Sequence, residues 1–243
     1  MIEVRNLYKD FEGKEVLRGI STTFDEGKTN LVIGRSGAGK SVFVKCMIGL
    51  IKPTQGEILY DGRDLALMSK KELLYLRREM GMLFQGSALF DSMTVLDNVM
   101  FPLEMFANDT QAQKRDRAMM LLERVGLREA ADKYPSEISG GMMKRTAIAR
   151  ALALNPKYLF CDEPNSGLDP KTSKVIDLLI QELTKEFGIT TIVNTHDMNT
   201  VRSIGDKILY IHHGRKEWEG SSATIETEGT ESLMHFINAN LDA

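Results

Sequence analysis

Cysteine is nearly absent from this 243-residue sequence: only Cys46 and Cys161 occur, at no metal-ligand spacing. That excludes a disulfide framework and a thiolate metal site, and leaves two buried free thiols in a reducing compartment as the expectation. Long apolar runs are missing too. Nowhere do ~18 consecutive apolar residues occur, so no segment reads as a spanning helix, and the charged start MIEVRNLYKDF does not read as a signal peptide. Net charge is small, -3 with a pI near 5.9, so no global positive field draws the chain to nucleic acid or anionic lipid. No internal repeat is visible. If the protein works at a membrane, another chain must take it there.

What is present alternates. Residues 1 to 33 read as short strands in IEVRNLYKDF, EVLRGISTTF and TNLVIG, broken at Gly13 and at the Asp25-Glu26-Gly27 turn. A helix is expected inside GKSVFVKCMIGL, ending before Pro53, followed by a strand in GEILYDG. From about residue 87 to 150 the pattern turns helical, and KRDRAMMLLERVGL carries apolar residues at helical spacing with a stop at Gly126. Strands are then expected in KYLFCDEP, ITTIVNTHD and DKILYIHHGR, with an amphipathic helix in TSKVIDLLIQELTKEFG. This order predicts an α/β fold, with a mainly parallel sheet covered on both faces and a helical insertion between its parts. In the tail, Leu233, Phe236, Ile237 and Leu241 share one helical face. They are expected to pack on the chain's own core, with packing across a dimer as the alternative.

The sharpest motif is GRSGAGKS, residues Gly34, Arg35, Ser36, Gly37, Ala38, Gly39, Lys40 and Ser41, which fits G-x-x-x-x-G-K-[ST] between an apolar strand and a helix. Its backbone N–H groups would converge on the α- and β-phosphates of a nucleoside triphosphate, helped by the helix N-terminus. Lys40 would reach the β- and γ-phosphates, and Ser41 would coordinate Mg²⁺. In YLFCDEP an apolar strand ends in Asp162 and Glu163, at the sheet edge where open α/β sheets bind ligands. Asp162 is expected to hold Mg²⁺ and Glu163 to accept a proton from attacking water. His196 ends another apolar strand and is a candidate donor to the γ-phosphate or that water. Gln85, after MGMLF, could ligate Mg²⁺ or orient the water. A second anion-ready helix start lies about a hundred residues on, at Ser139, Gly140 and Gly141.

Taken in order, the phosphate loop, Gln85, Ser139-Gly140-Gly141, Asp162-Glu163, SGLD at 166–169 and His196 resemble the nucleotide-binding subunit of ABC transporters. The resemblance implies a P-loop NTPase core over residues 1–86 and 151–220 that includes an N-terminal antiparallel β part. It also implies a helical subdomain over 87–150 and a C-terminal tail over 221–243. It implies ATP and Mg²⁺, and two copies packed head to tail so that each Ser139-Gly140-Gly141-Met142 signature closes on the other's nucleotide. By the same resemblance Phe11 and Val16 contact the adenine, and Asp169 couples the two sites.

Met142 stands where most of that superfamily has Gln. SGGM together with FQGSALF resembles the ATPases of Mce/Mla-type transporters, which move phospholipid between the two membranes of diderm bacteria. This implies a permease whose cytoplasmic helix enters an apolar groove in ALFDSMTVLDNVMFPLEMF. It further implies an Mce-domain subunit outside, a small STAS-domain protein inside, and a peripheral place on the cytoplasmic face of the inner membrane. The alternative cargo is that of an amino-acid importer or a lipoprotein-release system. A more distant reading is a soluble ABC-type ATPase acting on ribosomes or DNA. A single cassette, no heptad arms and an acidic pI weigh against it, and no Asn-Lys-x-Asp supports a GTPase.

Overall fold

Several segments that read as unbroken apolar runs are buried on both faces in the computed structural model, which describes residues 1–241 and side chains as far as Ala239. The chain opens with β1 (Ile2–Phe11), β2 (Lys14–Phe24) and β3 (Thr29–Ile33), then α1 (Lys40–Met47). It continues through β4 (Gln55–Tyr60), β5 (Arg63–Asp64), α2 (Lys70–Arg78) and β6 (Met80–Leu83). Three helices follow, α3 (Val95–Phe106), α4 (Gln111–Arg124) and α5 (Gly140–Leu152). The second part comprises β7 (Tyr158–Asp162), α6 (Pro170–Phe187), β8 (Thr190–Asn194), α7 (Met198–Ile204), β9 (Lys207–His212) and β10 (Arg215–Gly220). It closes with α8 (Ile225–Glu228) and α9 (Glu231–Leu241).

Two sheets result. One has the order β2-β1-β4-β5 and is antiparallel throughout; the other runs β10-β9-β3-β8-β7-β6. Five strands of the second sheet are parallel, with only β10 reversed against β9. Period-2 alternation assigns its side chains to two faces. Leu31, Leu159, Cys161 and Val193 join α3, α4, α5, α6 and α9 in one core. Val32, Tyr158, Phe160, Ile192 and Leu209 join α1 and the antiparallel sheet in the other. Both free thiols are buried, and burial pushes the Cys46 thiol up to about 11.

The N-terminal strands lie where the sequence put them: β1 covers IEVRNLYKDF and stays paired with β2 through three register shifts, and β2 adds only Lys14 to EVLRGISTTF. RKEWEG was not expected to be a strand. Its charges suit the edge position β10 occupies, where a strand has one unpaired side facing solvent. The tail packs on its own chain: Leu233, Phe236 and Ile237 are buried, and the Phe236 ring stacks on Tyr210 of β9 at 5.5 Å. The fourth residue assigned to that face, Leu241, lies outside the described side chains.

One polar link lies deep between these elements. Asp177 of α6, 2% exposed, accepts hydrogen bonds from Asn165 Nδ2 at 2.7 Å and Thr200 Oγ1 at 2.9 Å. It therefore ties the loop after β7 to the start of α7. Burial pushes its carboxyl up to about 6, and Asp197 adds to the effect. A carboxyl raised in the folded state costs nothing below its unfolded value of 3.8. The cost of ionising it grows as pH rises through 6 and then levels off. Asp177→Asn is therefore expected to melt higher than the unaltered chain above pH 6, by roughly 3 kcal/mol at most, with the gap closing as pH falls toward 4. Thermal melts at several pH values check this; a gap that widens on acidification would contradict it.

Candidate nucleotide-binding site

Helix α1 differs from the other long helices at its start. The helices α2, α3, α4, α5 and α6 each begin with a Ser, Thr or Asp side chain accepting from the first-turn backbone. At α1 the cap is Gly39, and no side chain caps its N–H groups. Those donors are left for a ligand, and with the aligned peptide dipoles they favour an anion. The loop before it is tightly seated: a Cβ on Gly34 would meet the Ile211 carbonyl oxygen at 2.3 Å, so only glycine fits. Lys40 Nζ crosses the loop and donates to the carbonyls of Gly34 at 2.7 Å and Arg35 at 3.3 Å. Burial lowers the pKa of its ammonium, while Glu163 and Asp162 oppose that shift.

Around this loop lies a cavity of about 720 Å³. It is lined by Val16, Arg35, Ser36, Gly37, Gly39, Lys40 and Ser41 together with Gln85, Asp162, Glu163 and His196. The parallel strands converge the last four: β6, β7 and β8 lie side by side and end at one edge. Glu163 adopts a left-handed backbone, φ 48°, which a non-glycine residue holds only where its surroundings over-determine it. The restraints here are its N–H, donating to the Asn194 carbonyl at 2.9 Å, and its carboxylate Oε1, 2.8 Å from His196 Nδ1. Gln85 Nε2 donates to Ser166 Oγ at 3.0 Å.

Not every residue singled out by sequence lines this cavity. Gly34 and Ala38 form the back of the loop. Phe11 is 44% exposed on the β1–β2 hairpin, with the Lys9 ammonium 4.8 Å above its ring. Ser139, Gly140, Gly141 and Met142 are elsewhere, at the start of α5. There Ser139 Oγ accepts from the Met142 N–H, and a Cβ on Gly141 would meet Thr172 Cγ2 at 2.7 Å. Asp169, at the start of the neighbouring α6, accepts from the N–H groups of Lys171 and Thr172. Met142 packs against the helical core.

Three cavity residues escaped sequence reading: Val42, Asn194 and Phe236. Asn194 carried a signal, an amide closing a strand otherwise made for burial. Phe236 carried none, since only the return of the tail brings it there.

Helix α5 also grips the Gln85 loop. Lys144 Nζ donates to the Gln85 carbonyl, and Arg150 donates to the Ser87 and Ala88 carbonyls, both at 2.7 Å. Ser87 and Ala88 are left-handed, φ 61° and 48°. Beside them lies a second cavity of about 550 Å³, lined by Leu74, Arg78, Phe84, Phe90, Phe101 and Phe106 among others.

Similarity to known proteins agrees with this arrangement. The family model for "ABC transporter" matches residues 17–166. The methionine import ATP-binding protein MetN of Carboxydothermus hydrogenoformans is 43% identical over 90% of this chain and 66% of its own length. The probable ribonucleotide transport ATP-binding protein mkl of Mycobacterium leprae is 38% identical over 98% of this chain and 68% of its own length. This chain thus spans about two thirds of each. A bacterial ABC transporter cassette solved as a dimer superposes with a TM-score of 0.81 at 34% identity, covering 91% of this chain and 99% of that one. Sequence and fold agree along nearly the whole chain, and it belongs to the ABC transporter family as an ABC ATPase cassette.

Proposed function

We propose that this chain is the ATP-hydrolysing subunit of a membrane transporter, acting as a head-to-tail pair. The observation that carries the reading is the separation of the phosphate loop from the Ser139-Gly140-Gly141 helix start. The phosphate loop shares a cavity with Glu163 and His196, whereas the Ser139-Gly140-Gly141 helix start lies outside that cavity. A helix start that serves no nucleotide of its own chain is explained by a nucleotide on a second copy. Residues 1–86 and 151–220 then form the core, 87–150 the arm that carries the signature, and 221–243 a tail.

In this reading the α1 N-terminus and Lys40 bind the phosphates, Lys40 exchanging its carbonyl partners for phosphate oxygens. Val16 borders the adenine, with Phe11 exposed on the same hairpin. Glu163 accepts the proton of the attacking water, and His196 holds the Glu163 carboxylate through their hydrogen bond. Gln85 positions the water. Ser139 caps α5 with its oxygen lone pair, which leaves its O–H to donate to the partner's γ-phosphate. Asp169 lies beside the signature and couples the two sites.

Among the described residues no cluster of three or more His, Cys, Asp or Glu could hold a metal alone. Mg²⁺ does not need one, because it keeps several waters and is bound through phosphates with one or two carboxylates. Ser41, Asp162 and the Gln85 amide oxygen, in one cavity, fit that donor set. When bound, the ion would supply charge neutralisation at the phosphates.

This reading places the chain peripherally at the cytoplasmic face, held by a permease; no described helix is long and apolar enough to cross a membrane. The aromatic cavity beside α2 and α3, bordered by Arg77, Arg78 and Arg150, suits an amphipathic helix of that permease. On cargo, the names of relatives favour a small-solute importer over phospholipid, since the MetN protein is named for methionine import. The phospholipid reading rests on Met142 and FQGSALF alone, and neither the MetN nor the mkl name supports it or its Mce- and STAS-domain partners. The mkl protein, named for ribonucleotide transport, matches almost as well, so cassette similarity does not carry the cargo.

Affinity capture from detergent-solubilised membranes, with mass spectrometry of proteins and lipids, separates these readings. A permease with a solute-binding protein is the expected result for an importer. A permease with an Mce-domain protein and phospholipid would reverse the cargo, and recovery of no membrane protein would overturn the transporter reading.

A further inference from the structure

Strand β8 is buried along its whole length, each residue from Thr190 to Asn194 being at most 2% exposed. An amide at its end is a costly choice there unless both of its polar atoms are satisfied. Only one is. Asn194 Nδ2 donates to Asp162 Oδ1 at 2.6 Å, while Asn194 Oδ1 is buried with no hydrogen-bond partner among the described residues. Turning the amide over would set its oxygen against the carboxylate, so the orientation that leaves Oδ1 unpaired is dictated by Asp162.

The strand register makes the contact unavoidable, because Asp162 and Asn194 are direct neighbours on β7 and β8. The same residue's carbonyl accepts from the Glu163 N–H at 2.9 Å. Its main chain thus holds one acid of the pair and its side chain the other. An aliphatic residue would serve the core better, as Ile192 and Val193 do one step earlier. What the amide provides is a fixed Asp162 carboxylate, with Oδ1 occupied and Oδ2 unengaged by any hydrogen bond of the described residues.

We propose that Asn194 is a positioning residue for the cation site: it holds Asp162 in the orientation from which its second oxygen serves a divalent cation bound with the nucleotide phosphates. This rests on the reading of Asp162 given under the proposed function. A structural role and a positioning role differ in what they move. If Asn194 matters for folding, replacing it destabilises the chain strongly. If it matters for Asp162, an apolar replacement loses the hydrogen bond to the carboxylate but also removes a buried unpaired oxygen, so the two offset and stability changes little, while cation binding suffers.

The test uses Asn194→Leu, close in size, and Asn194→Val, suited to a strand. Binding of a fluorescent ATP analogue is titrated with Mg²⁺, repeated in EDTA, and accompanied by thermal melts without nucleotide. Removal of a group that orients a metal ligand commonly costs ~10–100-fold in metal affinity. A rise in the half-saturating Mg²⁺ concentration of that order is expected in both variants, with analogue affinity in EDTA unchanged and melting temperatures close to the parent's. An unaltered Mg²⁺ titration would overturn the proposal, as would a large drop in melting temperature in both variants. If the parent itself bound the analogue without any response to Mg²⁺, the cation site as read would fall, and this inference with it.

Discussion

Glu163→Gln is expected to stop steady-state hydrolysis while leaving ATP binding intact, and to leave the ATP-bound pair closed. The substitution keeps the length of the side chain and a hydrogen bond to His196, whose ring nitrogen lies 2.8 Å from the carboxylate. It also keeps the restraint on the left-handed backbone at this position. What it removes is the basicity needed to take a proton from water, and loss of a general base typically costs ~10²–10⁴ in rate. If the γ-phosphate bridges two copies, a chain that cannot cleave it cannot open. Phosphate release and gel filtration in ATP and Mg²⁺ report the two effects separately. Hydrolysis at the parent's rate would remove Glu163 from the role of base. Loss of hydrolysis with the variant still monomeric in ATP would leave that role standing and count against the head-to-tail pair.

The second large effect is a rescue. Lys40→Ala removes the phosphate-loop cation, and Ser139→Arg places a bulky side chain at the start of α5; each alone is expected to abolish hydrolysis. When the two inactive chains are mixed, a head-to-tail pair containing one of each rebuilds one site from an intact phosphate loop and an intact signature. Activity is expected to return on mixing. A single-chain site predicts none, because every chain then carries its own lesion. The geometry favours rescue, since Ser139, Gly140 and Gly141 line no part of the cavity that Lys40 borders. Persistent inactivity of a mixture shown to contain mixed pairs would contradict the arrangement.

Residues whose role depends on local backbone were legible in the sequence. The phosphate loop needs glycines, a lysine and a helix start in immediate succession, and Lys40 and Ser41 are where that succession puts them. Asp162 and His196 follow apolar strands, and parallel strands that end together bring such residues to one edge. What stayed hidden depends on distant packing. Asn194 acquires its meaning only beside Asp162, across a register that no local pattern specifies. Phe236 reaches the cavity because α9 folds back onto β9. RKEWEG hides its strand behind charges that suit an edge. The grip of Lys144 and Arg150 on the Gln85 loop was invisible for the same reason, as it spans about sixty residues of chain.

That grip has a consequence for how such a cassette can change over time. Lys144 and Arg150 hold the loop by main-chain carbonyls alone, those of Gln85, Ser87 and Ala88. A carbonyl is present whatever the side chain, so these anchors do not depend on the identity of Phe84 and Phe90, which face the aromatic cavity. Phe84 and Phe90, both substantially exposed at that cavity, can be exchanged without disturbing the anchors that set Gln85 beside the phosphate loop. On the proposed reading, the surface offered to a membrane partner can therefore vary while the loop that presents Gln85 keeps its anchors.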